Sequence, residues 1–136
     1  MIIYSKKVIE HFMCSQNAYS MPDADAEGSF RDPSCIDYLT VYIKVSDNCI
    51  EDISYLVLGC CASIATSSMT SVLAKGKSLN EAIKITEEDI MEALDGLPET
   101  KVHCSNLGVS ALRNAIKNYI YKNGMEDFYE DRNTCR

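Results

Sequence analysis

A chain of 136 residues with a formal net charge of −7 can bury the core of one domain and lacks the basic face of a general nucleic-acid binder. It has no run of about 20 apolar residues that could cross a membrane and no recognisable signal peptide, so we expect a cytoplasmic protein. Thiols stay reduced in that compartment, and the seven cysteines therefore indicate metal, sulfur or redox chemistry rather than a disulfide framework.

The N-terminal part of the chain predicts a helix followed by an irregular segment. Ser5 is a typical N-cap for a helix over residues 5–14. Three apolar residues have the spacing of one helix face and are expected to pack on the core: Val8, Ile9 and Phe12. Residues 15–34 are rich in turn formers, with a short edge strand expected near residues 26–30.

The clearest pattern is a β-hairpin over residues 37–58. Apolar and polar side chains alternate along its first strand, with one face formed by Leu39, Val41, Ile43 and Val45. Asp47-Asn48 is a two-residue turn whose members tolerate left-handed backbone. The second strand returns over residues 49–58 and ends at Gly59.

Caps and stops divide the rest of the chain into helices. A helix over about residues 62–74 ends at Lys75-Gly76. Two capping boxes predict short helices over residues 79–84 and 87–94, namely Ser78 with Glu81 and Thr86 with Asp89. A final helix over about residues 105–122 has its apolar stripe at Leu107, Ala111, Ala115, Ile116 and Tyr119.

Three cysteines fall at element boundaries, where side chains from different elements converge. Cys35 precedes the first hairpin strand, and Asp37 follows two residues later. Cys60 lies between the second strand and its helix, and His103-Cys104 directly precedes the final helix. Because the start of one hairpin strand lies beside the end of the other, Cys35 and Cys60 are expected to be neighbours.

The chemistry of this group favours a metal that can be released. Thiolates suit zinc and iron–sulfur clusters, and a helix N-terminus, as at Cys60, favours thiolate over thiol. Three thiols with a carboxylate and an imidazole hold a metal less permanently than a closed set of four thiolates. Spacing alone leaves open that these are ordinary buried cysteines, because none of the pairs is Cys-x-x-Cys. Structural or surface roles are expected for His11, Cys14, Cys49 and Cys135.

Seven short motifs share their order and spacing with one known family. They are Tyr4-Ser5, residues 20–26, Cys35-Ile36-Asp37, Gly59-Cys60, residues 65–69, residues 75–79 and residues 103–107. Over residues 4 to about 121 the chain resembles the IscU/NifU N-terminal-domain family of iron–sulfur cluster assembly scaffold proteins. The resemblance implies an α+β fold: a three-stranded antiparallel sheet with helices packed on it. We expect this domain over residues 1–124 and a polar tail over residues 125–136.

The resemblance also implies a site and partners. Cys35, Cys60 and Cys104 correspond to the cluster ligands, with Asp37 and His103 as exchangeable metal ligands or modulators. Family members take sulfur from a cysteine desulfurase, build a [2Fe–2S] cluster with iron, and pass it to apo-proteins. They often hold Zn²⁺ in the same site when isolated. A cluster shared between two chains would need a homodimer, and the sequence leaves this open.

Four residues depart from the family pattern. Ile36 stands where the family has Gly, and it either alters the backbone or adds an apolar cover over the site. Cys61 stands where Gly is usual, and we favour a space-filling role over ligation, because adjacent side chains point apart. Glu99 and Thr100 change the segment that docks an Hsp70-type chaperone, which puts that partner in doubt.

Two other functions compete with a scaffold, which is a carrier and not a turnover enzyme. One is a zinc-dependent sulfurtransferase that accepts persulfide sulfur, with Cys104 as the candidate acceptor. The short interval from Cys60 to Cys104 and the presence of His103 favour the scaffold, as the known sulfurtransferase branch has an insertion and lacks that histidine. The other is a degenerate binding module, suggested by Ile36.

Overall fold

Five α-helices and three β-strands make up the computed structural model, which describes residues 3–33 and 36–124. In chain order they are α1 (Lys6–Met13), β1 (Ala26–Arg31), β2 (Tyr38–Ser46), β3 (Cys49–Leu58), α2 (Cys61–Ala74), α3 (Leu79–Ala82), α4 (Glu87–Ala93) and α5 (Cys104–Lys122). A 3₁₀ turn at Glu99–Lys101 precedes α5. Within the described ranges, no helix is both long and apolar enough to cross a bilayer. The predicted α+β class is confirmed.

The three strands form one antiparallel sheet in the order β1-β2-β3. Asp47 and Asn48 join β2 to β3 with φ angles of +53° and +61°, the left-handed conformation that a tight hairpin turn needs. Tyr38, at the start of β2, pairs with Leu58, at the end of β3. The predicted hairpin is therefore confirmed, and the segments before β2 and after β3 lie side by side.

Helix α5 lies across β1 and β2 and contacts the sheet at very short range. A Cβ atom at Gly28 of β1 would fall 2.1 Å from the backbone nitrogen of Ala115 in α5. Side-chain amides of α5 also donate to β1 carbonyl oxygens, Asn114 to Ser29 at 2.9 Å and Asn118 to Glu27 at 2.8 Å. These bonds use acceptors on the strand edge that β2 does not reach, so α5 covers that edge.

The core lies between the sheet and helices α2 and α5, and α4 also packs against these helices. Its largest fully buried apolar side chains include Leu39, Ile43, Ile53, Leu107, Leu112 and Ile116. Both predicted capping boxes form, with the Ser78 hydroxyl accepting from the Glu81 N–H and the Thr86 hydroxyl accepting from the Asp89 N–H. The helices that they start are slightly shorter than predicted.

Helix α1 docks differently from the prediction. Ser5 caps it as expected, but only Val8 is buried; Ile9 is 49% and Phe12 40% exposed, so the predicted three-residue apolar face is wrong. The reason is that α1 meets α2 partly through polar contacts. One joins His11 Nδ1 and Ser68 Oγ at 2.7 Å. A helix anchored by hydrogen bonds on one side does not need a wide apolar stripe.

Candidate metal centre

The hairpin positions the first two groups of the site. Asp37 directly precedes β2, and Gly59-Cys60 directly follows β3, so the pairing of Tyr38 with Leu58 brings Asp37 beside Cys60. The Asp37 side chain is buried, and Cys60 occupies the N-cap position of α2. The hairpin therefore places Asp37 beside Cys60, whereas Cys35, the expected neighbour of Cys60, lies outside the described residues.

Packing of α5 against α2 supplies the third group. Cys104 is the first residue of α5 and is 1% exposed. The Thr66 hydroxyl of α2 donates to the Cys104 carbonyl oxygen at 3.1 Å, which fixes the start of α5 against α2. The Cys104 sulfur then lies 3.8 Å from the Cys60 sulfur.

Asp37, Cys60 and Cys104 form a compact ligand set. One ligand atom from each lies within 4.8 Å of the other two, and Cys60 Sγ is 3.9 Å from Asp37 Oδ2. Two sulfurs each about 2.3 Å from a tetrahedral metal would lie about 3.8 Å apart, which is the separation seen here. The donor set and its spacing therefore fit a thiophilic metal ion.

A serine that the sequence analysis did not single out completes the inner wall of the site. Ser63, in the first turn of α2, is fully buried, and its hydroxyl donates to Asp37 Oδ2. The hydroxyl oxygen of Ser63 lies 3.5 Å from Cys60 Sγ. The sequence contains part of the signal for Ser63, because a residue three positions after Cys60 lies on the same helix face. Gly59 leaves room for this contact, since a Cβ there would lie 2.8 Å from Ser63 Cβ and 2.9 Å from Asp37 Cγ.

The two thiols of the site differ in acidity. Burial raises the pKa of Cys60, but hydrogen bonds outweigh it and bring the pKa below the usual thiol value; the backbone N–H groups of Ser63 and Ala62 are among the donors. Burial is also the main cause at Cys104, and with the nearby Cys60 charge it raises that pKa to about 12. Of these two, Cys60 therefore has the greater thiolate character in the metal-free protein, although both begin helices.

Residues around the thiols respond to their charge. The Lys101 ammonium has a raised pKa, first because of Cys60 and then through Tyr4, Cys104 and Asp37. The exposed His103 places Nε2 3.7 Å from Cys104 Sγ, but the three-group ligand set does not include it. His103 is thus close enough to modulate the thiol or to exchange as a ligand.

The remaining predicted residues are placed as follows. Cys35 lies outside the described residues, as does Cys135. Ile36 is 77% exposed. The half-buried Cys61 thiol is not part of the ligand set, and burial, followed by the Cys60 charge, raises its pKa. Cys14 is exposed and Cys49 half-buried, both outside that set.

Thiol alkylation tests the difference in acidity between Cys60 and Cys104. In metal-free protein at pH 8, iodoacetamide should modify Cys60 more than tenfold faster than Cys104, because Cys60 is half-buried with a lowered pKa and Cys104 is buried with a pKa raised to about 12. Differential labelling followed by peptide mass spectrometry measures both rates, with the exposed Cys14 as an accessibility reference. Faster modification of Cys104 would contradict the geometry.

The class that the fold and the site define is an α+β domain with two thiols and a carboxylate at one end of an antiparallel sheet, a group that could hold a metal ion. The chain belongs to the family described as NifU-like N terminal domain, which matches residues 3–126. The family expected from the sequence motifs is confirmed.

Relatives with curated names share most of the chain. The Iron-sulfur cluster assembly scaffold protein IscU 1 of Archaeoglobus fulgidus is 52% identical over 125 residues, which span 92% of this chain and 82% of the relative. The Iron-sulfur cluster assembly scaffold protein IscU of Aquifex aeolicus is 41% identical over 123 residues, covering 89% and 78%.

A solved structure has the same fold. The crystal structure of a putative iron–sulfur cluster assembly scaffold protein for the SUF system from Fervidobacterium islandicum AW-1 superposes with a TM-score of 0.71. It covers 83% of this chain and 96% of that protein at 21% identity, and at this identity the likeness supports the fold alone.

Proposed function

We propose that this protein is a scaffold on which a [2Fe–2S] cluster is assembled from iron and sulfur and from which the cluster is transferred to apo-proteins. The observation that carries the proposal is the convergence of Asp37, Cys60 and Cys104, whose ligand atoms lie within 4.8 Å of one another. The names of the relatives support the scaffold role, because they describe scaffold proteins for iron–sulfur cluster assembly. The cluster is cargo, so the protein acts as a carrier rather than as a turnover enzyme.

The ligands have different strengths, which suits transient binding. Cys60 and Cys104 are soft thiolate donors once metal has displaced their protons, and Cys35 is the proposed third thiolate. Asp37 is a harder and weaker donor for this metal chemistry, and His103 is the proposed exchangeable neighbour. A site that mixes these donors binds iron and sulfide without closing around them permanently. The same donors accept Zn²⁺, the proposed occupant of isolated protein.

Partners follow from the two steps of the function. A cysteine desulfurase is the proposed sulfur donor, and apo iron–sulfur proteins are the proposed recipients. Cys60, the more acidic of the two described site thiols, is half-buried and can meet an incoming persulfide. The proposed compartment is the cytoplasm, where thiols stay reduced. Residues 1–124 are the proposed functional domain.

Anaerobic reconstitution tests the function. Protein incubated with ferrous iron, cysteine, a cysteine desulfurase and dithiothreitol, which reduces the persulfide sulfur to sulfide, should acquire the visible absorption of a [2Fe–2S] cluster and then pass it to an apo-ferredoxin. Cys60→Ala and Cys104→Ala should lose nearly all of this absorption, because each removes a central thiolate ligand. Cys14→Ala is the matched control, since it removes an exposed thiol outside the ligand set and should load normally.

Two outcomes would contradict the proposal. One is a wild-type protein that stays colourless under these conditions. The other is tightly bound zinc that accelerates desulfurase turnover while no cluster forms, which would favour a sulfurtransferase. Iron and acid-labile sulfide analysis of the reconstituted protein distinguishes a cluster from adventitious iron.

A further inference from the structure

Ser63 occupies an unusual place for a helix serine. Its side chain is fully buried and faces the metal site, where the hydroxyl oxygen contacts Asp37 and lies 3.5 Å from Cys60 Sγ. Four other hydroxyl side chains of α2 donate to carbonyl oxygens of their own helix, as Ser67 does to Ser63 at 2.7 Å: those of Thr66, Ser67, Thr70 and Ser71. Ser63 instead contacts a carboxylate that lies 26 residues away in the sequence.

Hydrogen-bond capacity shows what this contact does. A serine hydroxyl has one proton and two acceptor lone pairs, whereas an ionised carboxylate only accepts. The Ser63 proton therefore goes to Asp37 Oδ2, and a lone pair of Ser63 Oγ remains for the Cys60 thiol. Metal binding displaces the thiol protons, but it leaves the hydroxyl proton and its bond to Asp37 in place.

The oxygen that Ser63 holds is also the oxygen that faces the thiols. Asp37 Oδ2 lies 3.9 Å from Cys60 Sγ, while Oδ1 is on the side of Gly59. Asp37 is only 7% exposed, so bulk water does not set the orientation of its carboxylate. The Ser63 hydroxyl takes one lone pair of Oδ2, which leaves the other for a metal once the thiol protons have been displaced.

We infer that Ser63 is a positioning residue of the metal site, whose hydroxyl holds the Asp37 carboxylate beside Cys60 and Cys104 so that it meets the metal through Oδ2. This inference rests on the proposed function, because it concerns how the same site takes up its metal. Hydrogen bonds that orient ligands typically change metal affinity by 10- to 100-fold when removed. Ser63 thereby orients the Asp37 carboxylate, the weakest ligand of the set, before a metal binds.

Zinc and cobalt binding test the role without requiring cluster assembly. Ser63→Ala should bind Zn²⁺ about tenfold more weakly than wild type in competition with a chromophoric chelator. The Co²⁺ complex of Ser63→Ala should also show altered d–d bands, because Asp37 is no longer oriented. Ser67→Ala is the matched control: it removes a buried hydroxyl from the next turn of the same helix and should keep wild-type affinity.

A double-mutant cycle separates positioning from a general structural effect. If Ser63 acts through Asp37, then Ser63→Ala should cause little further loss of Zn²⁺ affinity in an Asp37→Ala background. Ser63→Thr keeps the hydroxyl and should restore most of the affinity. Ser63→Val has the same shape as Ser63→Thr but lacks the hydroxyl, and it should not restore the affinity. The Thr and Val pair carries the test if Ser63→Ala does not fold.

Several results would overturn the inference. Equal affinities for Ser63→Ala and wild type, or for Ser63→Thr and Ser63→Val, would show that the hydroxyl does not position Asp37. Fully additive losses in the double mutant would show the same. If wild-type protein loads a cluster while Ser63→Ala binds metal normally, only this inference fails; if wild type binds neither Zn²⁺ nor Co²⁺, the proposed site fails with it.

Discussion

Gly28→Ala should destabilise the fold by about 3 kcal/mol or more, a large effect for one added methyl group. The added Cβ would lie 2.1 Å from the backbone nitrogen of Ala115 and 2.6 Å from the carbonyl carbon of Asn114. Both atoms belong to the backbone of α5, so no side-chain rotation can relieve the contact. Either α5 must move away from the sheet, or β1 must move away from α5.

Whether an alanine at position 28 lowers or raises the free energy of unfolding depends on the space around its Cβ atom. Gly28 has extended backbone and no positive φ. If there were room for the Cβ atom, an alanine would stabilise the fold by about 0.4–1 kcal/mol, because it lowers the conformational entropy of the unfolded chain. Urea unfolding followed by circular dichroism measures the change, with Glu27→Ala as the neighbouring exposed control, which should lie within about 0.5 kcal/mol of wild type. Unchanged or greater stability in Gly28→Ala would mean that α5 does not lie this close to β1.

Gly59→Ala should weaken Zn²⁺ binding by about 10- to 100-fold. Its Cβ would fall 2.8 Å from Ser63 Cβ and 2.9 Å from Asp37 Cγ, so it would push apart the serine and the carboxylate that face the metal. The atoms it meets are side-chain atoms, which can shift at a smaller cost than the helix backbone at Gly28. The loss should therefore appear more in metal affinity than in the free energy of unfolding.

Chelator competition measures the affinity of Gly59→Ala, and urea unfolding measures its stability. Leu58→Ala is the control, because Leu58 is adjacent in the chain but 68% exposed and should keep wild-type affinity. Unaltered Zn²⁺ binding in Gly59→Ala would contradict the close packing of Asp37 against Ser63.

Local signals were enough to predict much of the fold. The alternation along β2 and the Asp47-Asn48 turn define the hairpin, because strand period and turn conformation are properties of a few consecutive residues. The two capping boxes are equally local. The hairpin in turn predicts that the segment before β2 lies beside the segment after β3, since antiparallel pairing fixes which ends meet, and Asp37 and Cys60 are in contact for this reason.

Features that depend on packing between distant segments could not be predicted in this way. The exposure of Ile9 and Phe12 follows from how α1 rests on α2, which helical periodicity does not encode. The role of Gly28 depends on the approach of α5, nearly ninety residues further along the chain. Ser63 shares a helix face with Cys60, but its bond to Asp37 also requires the strand pairing, so neither pattern alone indicates it.

The ligands of the site come from separate parts of the chain. Asp37 is 23 residues from Cys60, and Cys60 is 44 residues from Cys104. A metal held by these three residues would cross-link the hairpin to the start of α5, and by mass action it would add about 4 kcal/mol of stability when free metal exceeds its dissociation constant a thousandfold. Under the proposed function, loading would raise the free energy of unfolding of the whole domain, and each delivery of cargo would lower it again.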